Sequence, residues 1–178
     1  MQPQYIAVLL AAVSGVMASP LPDASTGPKT GYIEHFREPG KFTNGSLIWF
    51  GPAANHTTRS LDERASCSIA GDAPKCDSSH TARNNVCDSL ITELNGDGAT
   101  GVPTSPRQIC YLGDSESNEY CCVSWHNPVN GLTKGDLATP ANTIMTQCTQ
   151  NGISGKVNNI YLRGRCTAVC LSNRGTGC

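Results

Sequence analysis

Two helical stripes separated by short alternating segments run through the last 112 residues of the chain, 67–178. Val86, Cys87, Leu90, Ile91 and Leu94 recur at helical spacing and predict a helix over Ser79–Leu94. Ser79 or Thr81 can cap its start, and Asn95-Gly96 ends it. Leu137, Ala141, Ile144 and Cys148 form a second stripe and predict a helix from about Asp136 to Gln150, closed by Asn151-Gly152. Pro140 is compatible with the first turn of a helix only, so Asp136 or Thr139 is the expected cap. Between and around the helices, Ala65–Ala70, Arg107–Leu112, Tyr120–Trp125, Val157–Leu162 and Arg165–Leu171 read as strands. Polar residues Gly113–Glu119 turn the chain between the second and third, and Arg163-Gly164 between the last two. The order strand, helix, strand, strand, helix, strand is that of a split βαβ, ferredoxin-like arrangement. The expected fold class is therefore α+β: a small disulfide-rich two-layer sandwich, an antiparallel sheet with two helices on one face.

The N-terminal third has a different character. Tyr5–Val16 is an apolar run followed by small residues, and Val16 and Ala18 fit positions −3 and −1 of a signal-peptidase site. Residues 1–18 read as a signal peptide. Residues 19–66 contain no cysteine, five of the eleven prolines and both Asn-x-Ser/Thr sequons, at Asn44 and Asn55. They read as a propeptide or a flexible glycosylated arm. Arg64, in SLDERASC, is half of a convertase site, so processing there and an uncleaved linker both stay open. Ser46–Phe50, SLIWF, is too apolar for an arm in water and is expected to pair as a strand or dock on the core.

A signal peptide implies an oxidising compartment and a secreted, extracellular protein. There Cys67, Cys76, Cys87, Cys110, Cys121, Cys122, Cys148, Cys166, Cys170 and Cys178 imply five disulfides and no free thiol. Their pairing does not follow from the sequence. Cys121 and Cys122 are neighbours on one strand and must point to opposite faces. One is expected to reach the helix layer, where Cys87 and Cys148 lie on apolar stripes, and the other a loop or tail on the outer face.

Composition excludes more chemistry than it offers. Formal net charge is −1, so total charge points to no nucleic-acid partner. Zinc would need paired Cys knuckles and a His pair; only Cys166-x3-Cys170 comes close, and no metal or cofactor is expected. Ser124 and His126 lie on one strand face with no orienting Asp near in sequence, and there is no G-x-S-x-G elbow. Asp88 and Glu93 read as solvated acids on the outer side of the first helix. Asp114–Glu119 alternates oxygen ligands but lacks the glycine and closing glutamate of a calcium loop. Charge is uneven: eight acids and three bases lie between Asp72 and Glu119, none and four after Asp136. Arg163, Arg165 and Arg174 read as a basic edge, and Trp125, Tyr120 and Tyr161 as stacking surface. Trp125, Tyr161, Arg163, Arg165 and Arg174 form the candidate binding surface.

Ile109–Trp125, Gly131–Leu137, Asn151–Leu162 and Cys166–Cys178 together resemble the small secreted fungal proteins said to carry a "WD-like" domain, whose function is not established. The label implies no propeller: the core is short and holds no Trp-Asp dipeptide. The strand order also resembles the α/β sandwiches of fungal killer toxins and effectors, without their cysteine spacings. The expectation is a monomeric, non-enzymatic secreted protein of effector or toxin type. Its partner would be extracellular: a protein, a cell-wall polymer or a membrane surface. A cell-wall or carbohydrate-binding protein is the alternative, and a small secreted hydrolase built from scattered acids a third.

Overall fold

A computed structural model describes residues 32–52, 66–104, 107–113 and 119–174. The signal peptide, Asn55, Arg64 and Cys178 lie outside the described residues. Among the described residues seven strands form one sheet: β1 (Tyr32–Pro39), β2 (Ser46–Pro52), β3 (Lys75–Thr81), β4 (Gln108–Leu112), β5 (Tyr120–Trp125), β6 (Ile153–Leu162) and β7 (Arg165–Ser172). Helices α1 (Asn84–Gly96) and α2 (Lys134–Gln147) join β3 to β4 and β5 to β6. The sheet order is β1-β2-β4-β5-β7-β6-β3, with every ladder antiparallel. Helix α1 contacts β4 and β5, α2 contacts β6 and β7, and the helices contact each other, giving the two-layer α+β sandwich of the expected class.

Both crossovers are split: β4, reached through α1, lies three strands from β3, and β6, reached through α2, lies one strand from β5. The order nonetheless departs from the ferredoxin-like one. There the first strand of the unit is central; here β7 takes that place and β3 is pushed to the edge. The reason is local. Arg163 and Gly164 both have positive φ, 45° and 84°, the two-residue type I′ geometry that folds β7 directly back on β6.

The β3 strand was not legible as one. The sequence places a strand at Ala65–Ala70 and starts a helix at Ser79, but residue 68 makes only an isolated bridge to Ile160, and Lys75–Thr81 is the strand. As an edge strand paired on one side, β3 (KCDSSHT) has little apolar burial to betray it. The α1 N-cap is accordingly Arg83, without a side-chain bond, in place of Ser79 or Thr81. The α2 cap is Thr133, in a reciprocal capping box with Asp136. Pro140 lies beyond the first turn, inside the helix and buried, where it withholds one backbone bond.

The largest departure concerns the arm. Residues 32–52 are a hairpin of the sheet: β1 pairs β2, and β2 pairs β4 from Ser46↔Leu112 to Phe50↔Gln108. Among the described residues the sheet therefore already includes Tyr32, ahead of the expected domain start at Cys67. SLIWF docks because both faces of β2 are covered. Leu47 and Trp49 join the main core under the helices, and Ile48 and Phe50 join a second cluster with Cys110 and Cys122 on the outer face. Burial of Leu47, Ile48 and Phe50 contributes about 1.5–3 kcal/mol each, which a free arm would forgo.

Four disulfides cross-link the described residues: Cys67–Cys166, Cys76–Cys148, Cys87–Cys121 and Cys110–Cys122. Cys170 is disulfide-bonded as well. The doublet divides as the pleat requires. Cys121 reaches Cys87 in α1, but Cys122 reaches Cys110 directly opposite on β4, not a loop or tail. The outer partner is a neighbouring strand because Cys110 and Cys122 fall in register. Close packing of α2 needs Gly155: a Cβ there would lie 2.6 Å from the Cys148 Sγ.

The 34-residue separation of Cys87–Cys121 and the 12-residue separation of Cys110–Cys122 set their expected worth. Loop-closure entropy gives about 4 and about 3 kcal/mol. Cys87→Ala/Cys121→Ala should therefore lower the denaturant midpoint more than Cys110→Ala/Cys122→Ala, measured without reductant. The reverse order would contradict an entropic origin.

Candidate functional site

The sequence-derived surface does not assemble as one patch. Trp125 is 3% exposed and belongs to the core, because β5 alternation puts it on the helix face with Cys121 and Val123. It offers no stacking surface. Tyr120 is half-buried against the outer cluster. Arg174 follows the end of β7 and Arg165 begins it, nine residues and roughly 30 Å away along an extended strand. Arg163 is paired to Asp136, Nε to Oδ2 at 2.7 Å. Burial raises the Asp136 carboxyl, but Arg163 and the Thr133 cap outweigh it and hold it below its ordinary value. The expected basic edge is thus dispersed and partly neutralised.

What remains together is the end of the β6–β7 ribbon. Tyr161, 48% exposed, stands opposite Cys166. Cys166 is tied to Cys67, and the Ser68 backbone bonds Asn159 and Tyr161 on the free edge of β6. Ile69, 86% exposed, follows Ser68 in a turn closed by the Gly71 N–H donating to the Ser68 carbonyl. Arg165 begins β7 at the same tip and is exposed, but it pairs with Leu162 and so leaves on the helix side, opposite to Tyr161. The signal that sequence reading missed is Ile69: an isoleucine one residue from a tethered backbone, left in water. Ser124 and His126 make no such assembly. Ser124 is half-buried on the outer face, and His126 lies past the strand end, where its carbonyl accepts from Arg107.

A second constellation is buried. Glu93 is 1% exposed, not solvated as its helical position implies. Its carboxylate accepts from the backbone N–H groups of Lys41, Phe42 and Thr43 at 2.7–2.9 Å and from the Thr43 hydroxyl at 2.6 Å. Those amides belong to the β1–β2 turn. Lys134, at the first position of α2 and 1% exposed, bonds Glu38 at 2.8 Å and Asp97 at 3.2 Å. Its ammonium lies 5.6 Å from the Trp49 ring centroid, and Phe36 stacks on the same tryptophan. Lys41 closes the group on Asp97 at 2.8 Å. Burial raises the Glu93 carboxyl, but the Thr43 hydroxyl and the three amides outweigh it and hold it below its usual 4.5. Lys41, then Thr100 and Lys134, hold Asp97 far below the usual carboxylate range. Charges this well matched clasp the hairpin to both helices. Asn44, the sequon in the same turn, is exposed.

Among the described residues no three His, Cys, Asp or Glu side chains gather as a metal site, and no helix is long and apolar enough to cross a membrane. The molecule is a small cysteine-rich α+β domain cross-linked between its layers. A family model described as Fungal WD-like matches residues 53–178, and the chain belongs to that family. No curated protein and no solved structure matches.

Glu93 and Asp97 both have folded values below their unfolded ones. Their stabilisation is complete above about pH 4.5 and is lost as pH falls through the lowered folded values. Glu93→Gln should cost about 1–3 kcal/mol at pH 7 and flatten the fall in urea midpoint between pH 5 and pH 3. An unchanged pH profile would remove Glu93 from the clasp.

Proposed function

We propose that this chain is a secreted, non-enzymatic binding module of effector or toxin type, acting as a monomer on an extracellular surface or partner. The observation that carries this reading is the β6–β7 tip, where half-exposed Tyr161 stands opposite Cys166 and the Cys67–Cys166 bond holds the turn that carries exposed Ile69. Tyrosine is among the residue types that dominate the energetics of protein interfaces. A rigid backbone lowers the ordering cost of binding. Net charge at the tip is small because Asp136 offsets Arg163, which favours an amphipathic protein surface over a polyanion. The carbohydrate-binding alternative loses support with Trp125 buried, since Tyr161 then stands without the second ring a sugar platform needs. Family membership, a dense disulfide frame and the N-terminal apolar run together support secretion. Asn44, on an exposed turn, is the sequon we assign a glycan.

The test is labelled protein titrated onto intact cells of a host or competitor, with chitin and glucan as further arms. Ile69→Ser and Tyr161→Ser leave the core intact and should each weaken binding by about tenfold or more, and Arg165→Ser by less. Binding unchanged in all three would sink the tip as the recognition surface. Turnover in a hydrolase screen would overturn the non-enzymatic reading.

A further inference from the structure

The hairpin β1–β2 is held differently from most of the described elements. It contains no cysteine, whereas β3, β4, β5, β7, α1 and the end of α2 are each tied by a disulfide. It precedes the family-matched residues 53–178, and residues 53–66 alone connect it to them. Its attachment is otherwise non-covalent. The cross-linked domain contributes the β4 backbone edge over five paired positions. It also contributes a buried carboxylate, Glu93, aimed at three turn amides, and a buried ammonium, Lys134, aimed at Glu38. A paired edge supplies affinity, and the two charges fix register and partner. This is the chemistry by which proteins capture an added strand.

We propose that β4, Glu93 and Lys134 form a strand-acceptor site and that the Tyr32–Pro52 hairpin is its exchangeable ligand, so the hairpin of a second copy of this chain fits the same site. Recognition asks three things of the ligand: an apolar strand that fills the Trp49 position, a turn presenting consecutive free amides, and an acid where Glu38 stands. Connection through residues 53–66 spans up to about 45–50 Å when extended, long enough for exchange between molecules. In the intact chain the tether keeps the local hairpin at millimolar effective concentration and favours it. A cut in residues 53–65, such as hydrolysis after Arg64, would remove that advantage without releasing the hairpin.

The experiment uses the full chain with a specific protease sequence inserted between Pro52 and Ser66, cut without reductant. A fluorescent peptide of residues 32–52 is then added in excess. The cut hairpin should co-elute with the cross-linked domain and be replaced by the labelled peptide. A Glu38→Lys peptide should bind at least about tenfold more weakly, and the Glu93→Gln protein should lose the cut hairpin faster. Three results would overturn the proposal: separation on cutting with no rebinding, no exchange of the labelled peptide over days, or equal binding of the Glu38→Lys peptide. Since the decisive substitution is in the peptide, the folding of the acceptor is not in question.

Discussion

Successive side chains of a strand leave on opposite faces, and in β5 both are cysteines. Much of the molecule follows from that constraint. Cys121 fixes α1 onto the sheet through Cys87, while Cys122 locks β4 to β5 from the other side through Cys110. With β4 and α1 immobilised, the free edge of β4 and the C-terminal turn of α1 present a fixed surface. Onto it the hairpin brings Trp49, Lys41–Thr43 and Glu38. The second layer of order is electrostatic, and it depends on the first: Glu93 and Lys134 are useful as buried charges because the elements carrying them cannot drift.

The clasp shows why buried ionic groups persist in a small core. A Lys–Glu pair in place of apolar side chains adds little net stability once desolvation is counted. What it adds here is choice. Many apolar strands could lie along β4, but few would also offer an acid to Lys134 and a row of amides to Glu93. The same division holds at the other end of the sheet. Disulfide Cys67–Cys166 holds a backbone corner still, and the exposed side chains on it, Ile69 and Tyr161, contribute little to folding.

Elements with a covered face and an open one were legible in the sequence: α1 and α2 by their stripes, β4 to β7 by alternation, the type I′ turn by Arg163-Gly164. The run SLIWF was legible as buried, though its partner β4 was not, because strand pairing at a separation of some sixty residues leaves no local mark. β3 was missed since an edge strand needs no apolar side. Glu93 was misplaced for a related reason: helical periodicity assigns a face by its apolar stripe, and the opposite face is assumed wet. Here that face is dry because the hairpin turn covers it. Trp125 failed as a surface residue through parity alone, standing two pairs of pleats from Cys121 on the same side. Ile69 escaped notice because a single apolar residue in a loop has no period.

The hairpin's contacts run to residues fifty to ninety-six positions later, Glu93 and Lys134 among them. During synthesis the ribosome therefore delivers the hairpin, whose two strands can pair with each other, well before β4, α1 and α2. SLIWF keeps an unpaired edge until β4 has emerged and an incompletely covered face until α2 follows, and such long-range closure is the slow part of folding. The hairpin is made ahead of every element that covers it, so the interval before α2 emerges is when this protein is most open to aggregation or to capture by a chaperone.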